Sequence, residues 1–347
     1  MGQILKYKRA WGIAVAAILL YLSFHDLDRE KISDILSRAD YWMLIPAAIA
    51  AFAVNLFKAL RWRVIMDPVK SISVRQILSI FSVSQMVNVS LPALTGQAAR
   101  VLLVSKRAGL PKTYCATTVV LEVLFDGISL VILMLACSTV IVFPGWLSRS
   151  GLLAGITLVV LLILLLLVVH NRRKLRIFGR RRLKVRYPRF FEKIRHVAGS
   201  FADALDMLKS TRHTLLTALF SVGLWAAHAF VIIFLFKALG LTVPIWGAIV
   251  ILAVNSVLLM FPITPGNLGT FQWACVAGMA LFHVGKSEAV SFSIVLQVMD
   301  LVPVFLAGLF FLYLDHMRYS EIRDEAIKES EDGHDGVEKE EVVVEGE

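Results

Sequence analysis

Arg100, Glu122, Asp126 and Asp300 sit inside or beside long apolar runs, where an ionisable side chain is out of place. A charge near the centre of a bilayer costs at least about 2.5–3.5 kcal/mol on insertion scales, so such groups ordinarily have a partner or a task. Glu122 and Asp126 are four residues apart, which puts both on one helical face. Two close carboxylates disfavour double ionisation, so a shared proton or a cation is expected between them, and Arg100 is the natural cation. Asp300 lies mid-run beside Gln297. Two chemistries are open to this set: a polar clamp for an interrupted backbone, or a path for a substrate headgroup or a proton.

The charges follow two helix-breaking stretches, "NVSLPALTGQAAR" (88–100) and "FPITPGNLGTFQ" (261–272). In the first, Asn88, Pro92, Gly96, Gln97 and Arg100 bring hydrogen-bonding groups to a chain break; in the second, Pro262, Pro265, Gly266, Asn267, Gly269 and Gln272 do the same. Both share Pro-x-x-x-Gly-(Gln/Asn). Gln97 precedes Asp126 by 29 residues and Gln272 precedes Asp300 by 28, so each break is followed by a carboxylate at a similar depth. Over "GNLG" a positive φ or a close backbone contact is expected.

The elements that must hold these residues are membrane spans. The chain is 58% hydrophobic and 18% charged, outside the balance of a soluble domain. The apolar segments are 10–24, 41–60, 77–91, 114–142, 151–169, 213–239, 245–261, 267–284 and 288–314. The basic start and apolar run at the N-terminus show no small-x-small cleavage site, and are expected to be an uncleaved first span. Cytoplasmic loops should hold the excess Lys and Arg, which places the block 170–196 and the stretch 61–75 (Arg61, Arg63, Lys70, Arg75) inside. If 77–91 crossed fully, the block 170–196 would fall outside. The charge rule is satisfied only if 76–107 enters from the cytoplasm, breaks at Pro92 and Gly96, and returns. Irregular backbone at that depth is tolerated only where protein or a water-filled cavity satisfies it.

The segment 245–284 then opens to the outside, either as a second re-entrant hairpin or as two ordinary spans. The resulting expectation is an all-α polytopic membrane protein with about six spanning helices and two Pro/Gly-broken re-entrant hairpins in an inverted repeat. Residues 1–316 form the membrane domain, 190–210 an amphipathic surface helix within the basic loop 170–212, and 317–347 an acidic, largely disordered tail. Both termini are expected in the cytoplasm of a cell whose inner membrane holds the chain.

Other signals are bland. Cys115, Cys137 and Cys275 lie apart in apolar segments, as buried small hydrophobes. His228 reads as a hydrogen-bonded packing residue, and "GLLAG" (151–155) as a close helix contact. The sequon at Asn88 lies in the cytoplasm-entering hairpin and is discounted. There is no P-loop, HExxH or GxSxG, so no cofactor, metal, nucleic acid or catalytic domain is expected. The basic block 170–196 is either positive-inside anchoring or a grip on anionic lipid headgroups.

These motifs resemble the lysylphosphatidylglycerol synthase transmembrane (flippase-like) family over about residues 8–318. Pro92, Gly96 and Arg100 match its first motif, with Leu94 and Gln97 at positions the family charges. Glu122 and Asp126 match the second, with Val123 for an Arg. Pro262, Pro265, Gly266 and Gly269 match the third, with Gln272 for a Glu. The resemblance implies movement of lipids or lipid-linked precursors between leaflets, through a polar cavity where the hairpin tips approach around Gln97, Asn267 and Gln272. The aminoacyl-transferase domain of some relatives is not expected, since 317–347 is too short to fold as one. An ion-coupled small-solute transporter, or a non-transporting partner of a lipid- or glycan-modifying enzyme, are the alternatives.

Overall fold

The computed structural model describes residues 27–90, 95–139, 210–259 and 269–325, with 21–23, 25, 267, 327 and isolated positions between 145 and 199. Most of the expected first span and of 151–169 lies outside these residues. So do the basic loop 170–196, nearly all of 190–210, Pro92, Pro262, Pro265, Gly266 and the tail beyond 327.

Every regular element among the described residues is helical. In chain order they are α1 (Arg29–Ser37), α2 (Leu44–Met66), α3 (Val74–Ser90), α4 (Thr95–Ala108), α5 (Lys112–Ser138), α6 (Thr211–Ala238), α7 (Gly247–Leu259), α8 (Thr270–Ala280) and α9 (Lys286–Leu314), with a 3-10 turn at Tyr41–Met43. Asp28 caps α1 by accepting from the Lys31 N–H, and Asp40 caps the turn by accepting from that of Trp42. The turn with α2 (Tyr41–Met66), α5, α6 and α9 are long and apolar enough to cross a membrane. The other four membrane helices are not. At 1.5 Å per residue α3, α4, α7 and α8 reach about 25, 21, 20 and 16 Å, short of a hydrocarbon core of roughly 30 Å.

The short helices form two hairpins with mouths on opposite faces. At the mouth of α3 and α4, Gln76 Nε2 donates to the Arg107 carbonyl and Arg107 Nη1 to Ser79 Oγ, so entry and exit lie side by side. Lys70 Nζ also donates to the Ala108 carbonyl. At the mouth of α7 and α8, Trp246 packs against Phe282 with ring centroids 5.1 Å apart and the planes tilted by 59°. The end of α2 shares the first mouth's face, where Asp67 meets His213 at 3.0 Å; its start shares the second's, where the Asp40 N–H donates to the Ala238 carbonyl at 2.8 Å. α2 and α6 are therefore antiparallel, and the two halves are inverted relative to each other.

Packing repeats under exchange of the halves. α2 lies along α6 for its whole length, each hairpin arm packs on its partner arm, and each returning arm packs on the span that follows it. The halves also clasp one another: α9 packs on α3 as α5 packs on α7. One close approach is at Gly308 of α9, where an added Cβ would stand 2.7 Å from Met86 Cβ of α3. The core divides accordingly, with Trp62, Ile77, Phe81 and Val104 in the cluster around the first hairpin and Ile232, Ile251, Cys275 and Phe292 around the second.

Candidate functional site

Where the first returning arm meets the following span, four charges interlock. Arg61 Nη1 donates to Asp126 Oδ1 at 2.7 Å, and its Nη2 lies 3.5 Å from Glu122 Oε1. Arg100 Nη1 donates to the other Glu122 oxygen, and its Nη2 to Gln85 Oε1 at 3.1 Å. The Arg100 guanidinium also stacks over Phe81 and Trp62, 4.5 and 5.0 Å from the ring centroids, while Trp62 Nε1 donates to Thr118 Oγ1. Glu122 is the eleventh residue of α5, about 15 Å from its start. Two guanidinium groups balance two carboxylates: of the shared proton or cation expected there, the structure has the cation, Arg100 on Glu122, with Arg61 beside it.

Arg61 is the correction here. The sequence reading ended the span at 60 and counted Arg61 with the basic loop 61–75; the helix runs on to Met66 and Arg61 is wholly buried inside it. The apolar Trp62, Val64, Ile65 and Met66 beyond it are the signal that was passed over. Arg100 also lies deeper than a hairpin exit. It is eight residues from the end of α4, about 12 Å in, and its side chain is 3% exposed.

The second half repeats the layout with weaker charges. Gly269, with φ 81°, and Asn267, with φ 56°, take the left-handed backbone anticipated for "GNLG". The Gly269 N–H donates to Gln272 Oε1 at 2.7 Å, closing the first turn of α8, and Gln272 Nε2 donates to Gln297 Oε1 of α9. Asp300 faces His228 of α6, Oδ1 to Nε2 3.7 Å. Pro303 removes the helical bond to the Met299 carbonyl, freeing an acceptor one residue from Asp300.

The two centres share α6. Ser221 lies 3.4 Å from Arg61 Nη1, and His228 follows seven residues later, two turns and about 10 Å along the same face. Asp126 and Asp300 retain 38% and 34% of their side-chain surface, whereas Arg61, Arg100 and Glu122 are nearly closed off. The four charges together form a neutral brace that ties α2, α4 and α5, while Asp126, within it, and Asp300 keep open surface.

Of the remaining sequence-predicted residues, Asn88 is half-buried near the end of α3 and Gly96 lies in the first turn of α4. Gln97 Oε1 is buried with no partner among the described residues. Pro92, Pro265 and Gly266, and with them the meeting of the two tips, fall outside those residues. No group of three or more His, Cys, Asp or Glu that could hold a metal occurs among the described residues.

One family model, described as the lysylphosphatidylglycerol synthase TM region, matches residues 9–308. No curated protein and no solved structure matches the chain.

Proposed function

This chain belongs to the family of the lysylphosphatidylglycerol synthase TM region, and from that membership we propose that it translocates lipids or lipid-linked precursors between leaflets. The family ties the protein to lipid metabolism at a membrane; translocation, rather than catalysis, is our reading of the site. One observation carries it. Two half-exposed carboxylates, Asp126 and Asp300, are held at membrane depth beside hairpins that open on opposite faces. Carboxylates at that depth call for a polar ligand or water rather than acyl chains, and inverted broken helices are the construction of transporters with a central site.

The face bearing the first mouth is the cytoplasmic one in this proposal. Arg63, Lys70, Arg75, Lys106, Arg107 and Lys112 gather there, as the charge rule for inner loops requires. The membrane is then the inner membrane, with both termini in the cytoplasm and the block 170–196 against anionic headgroups. Chemical labelling of outer-leaflet lipids in cells with and without the gene tests the function. A lipid class that leaves the outer leaflet on deletion and returns with the intact gene supports translocation; an unchanged leaflet composition overturns it.

A further inference from the structure

Lys58 belongs to none of the clusters above, yet it lies inside α2, eight residues from the end and about 12 Å deep. The outer face of α2 is marked by Ile45, Ile49, Phe52 and Leu56, which are exposed at 40–66% and follow helical spacing. Lys58 comes two residues after Leu56, about 200° around, and so points to the opposite, inward pole. Three polar residues repeat this offset. Ser221 follows exposed Leu219 by two, Asp300 follows exposed Val298 by two, and His228 precedes exposed Phe230 by two. All four residues thus lie on the inward sides of α2, α6 and α9, helices that pack on one another.

Lys58 is half-buried and makes no hydrogen bond or ion pair among the described residues. Among the described residues no nearby counter-charge is spare. Arg61 and Arg100 already balance Glu122 and Asp126. Asp300 faces His228, which the antiparallel register places opposite Ala51, about 10 Å further along α2. An ammonium at membrane depth without an anion is costly, so the missing anion belongs to whatever the interior binds.

The geometry points to Lys58 as the anion-holding residue of an interior site for a phosphate group. Lys58 supplies a compact point charge with three donors, suited to phosphate. The Asp300–His228 pair beyond it offers an acceptor and a ring nitrogen to the rest of a headgroup. Only the source of the phosphate, a lipid headgroup, rests on the translocation reading.

The test uses the purified full chain in an uncharged maltoside detergent, with thermal unfolding followed against added dihexanoyl phosphatidylglycerol, dihexanoylglycerol or inorganic phosphate. The phosphate-bearing lipid should raise the Tm saturably and the phosphate-free glyceride should not. Lys58→Met should bind the lipid at least about tenfold more weakly, as loss of one charge-assisted contact implies. Its ligand-free Tm should equal or exceed that of the parent, because an unpaired charge has gone. Lys58→Arg should keep most of the response.

If inorganic phosphate acts as well as the lipid, the site stands and its ligand is a soluble phosphate. A Lys58→Met protein with the parent's lipid response, or a parent that answers equally to the glyceride, overturns the site. Lipid movement measured separately in reconstituted vesicles keeps the two readings apart. Lys58-dependent binding without movement defeats translocation alone, and movement unaffected by Lys58→Met, with unaltered binding, defeats the site alone.

Discussion

Arg61 carries more of the fold than Arg100 does. Both are buried, but Arg61 reaches both carboxylates whereas Arg100 reaches only Glu122. Breaking a buried pair by removing one partner costs about 3–5 kcal/mol, because the other charge stays behind. Arg61→Gln should therefore lower the thermal midpoint in detergent more than Arg100→Gln, and adding Asp126→Asn to Arg61→Gln should recover part of the loss. Fluorescence-detected gel filtration after a heating series measures all three. Arg100→Gln should in addition abolish transport in the outer-leaflet labelling assay, since the returning arm loses the ion pair that ties it to Glu122. The partnership of Arg100 with the carboxylate pair was legible in the sequence, because a charge in an apolar window demands a mate. Arg61 and Lys58 were not. A basic residue near the end of an apolar run looks like an interfacial anchor, and only the length of the folded helix shows that it is inside.

The first hairpin is the element whose existence the sequence disclosed best, through a charge parity that a full crossing of 77–91 could not satisfy; for the second, parity left two ordinary spans equally open. The helix ends were less legible: α2 continues six residues past its expected stop, because charge neutralised by a partner no longer terminates a span. The mouth of the first hairpin can be tested directly. Cysteines replacing Lys70 and Lys106 should both resist a membrane-impermeant thiol reagent applied outside whole cells, and labelling of the second alone would mean that α3 crosses. Packing of α9 on that hairpin depends on Gly308. Gly308→Val drives a Cβ against the Met86 backbone end, and overpacking of this kind destabilises by about 1–3 kcal/mol, readable as a lower thermal midpoint. At the end of α2 the hydrogen bond to His213 holds Asp67 below the usual carboxylate range. A depressed carboxylate adds stability above its ordinary value and loses it as pH falls through the depressed one. Thermal stability should accordingly drop below about pH 4 by less in Asp67→Asn than in the parent.

For the whole molecule, the inverted repeat was foreseeable from two six-residue motifs and a shared interval to the next carboxylate. The clasp of each hairpin by the other half's last span was not, since nothing local in a sequence reports which distant helices touch. Nor was the unequal chemistry of the halves, arginine and glutamate in one, histidine and amides in the other. The antiparallel core pair can be checked with two double-cysteine variants, Asp40→Cys/Ala238→Cys and Asp67→Cys/His213→Cys. The first pair should form an intramolecular disulfide, and the second, where only side-chain tips meet, should be joined by a short bifunctional thiol crosslinker, at opposite ends of the same two helices.

Those two end contacts also limit how the molecule can deform. A helix pair tied at one end can splay or slide; tied at both, it can do neither without breaking a bond. Rolling about the long axis is the freedom that remains, so α2 and α6 together act as an axle. Because each hairpin is clasped by the other half's last span, neither half can roll about that axle alone, and a turn at one face is carried to the opposite one.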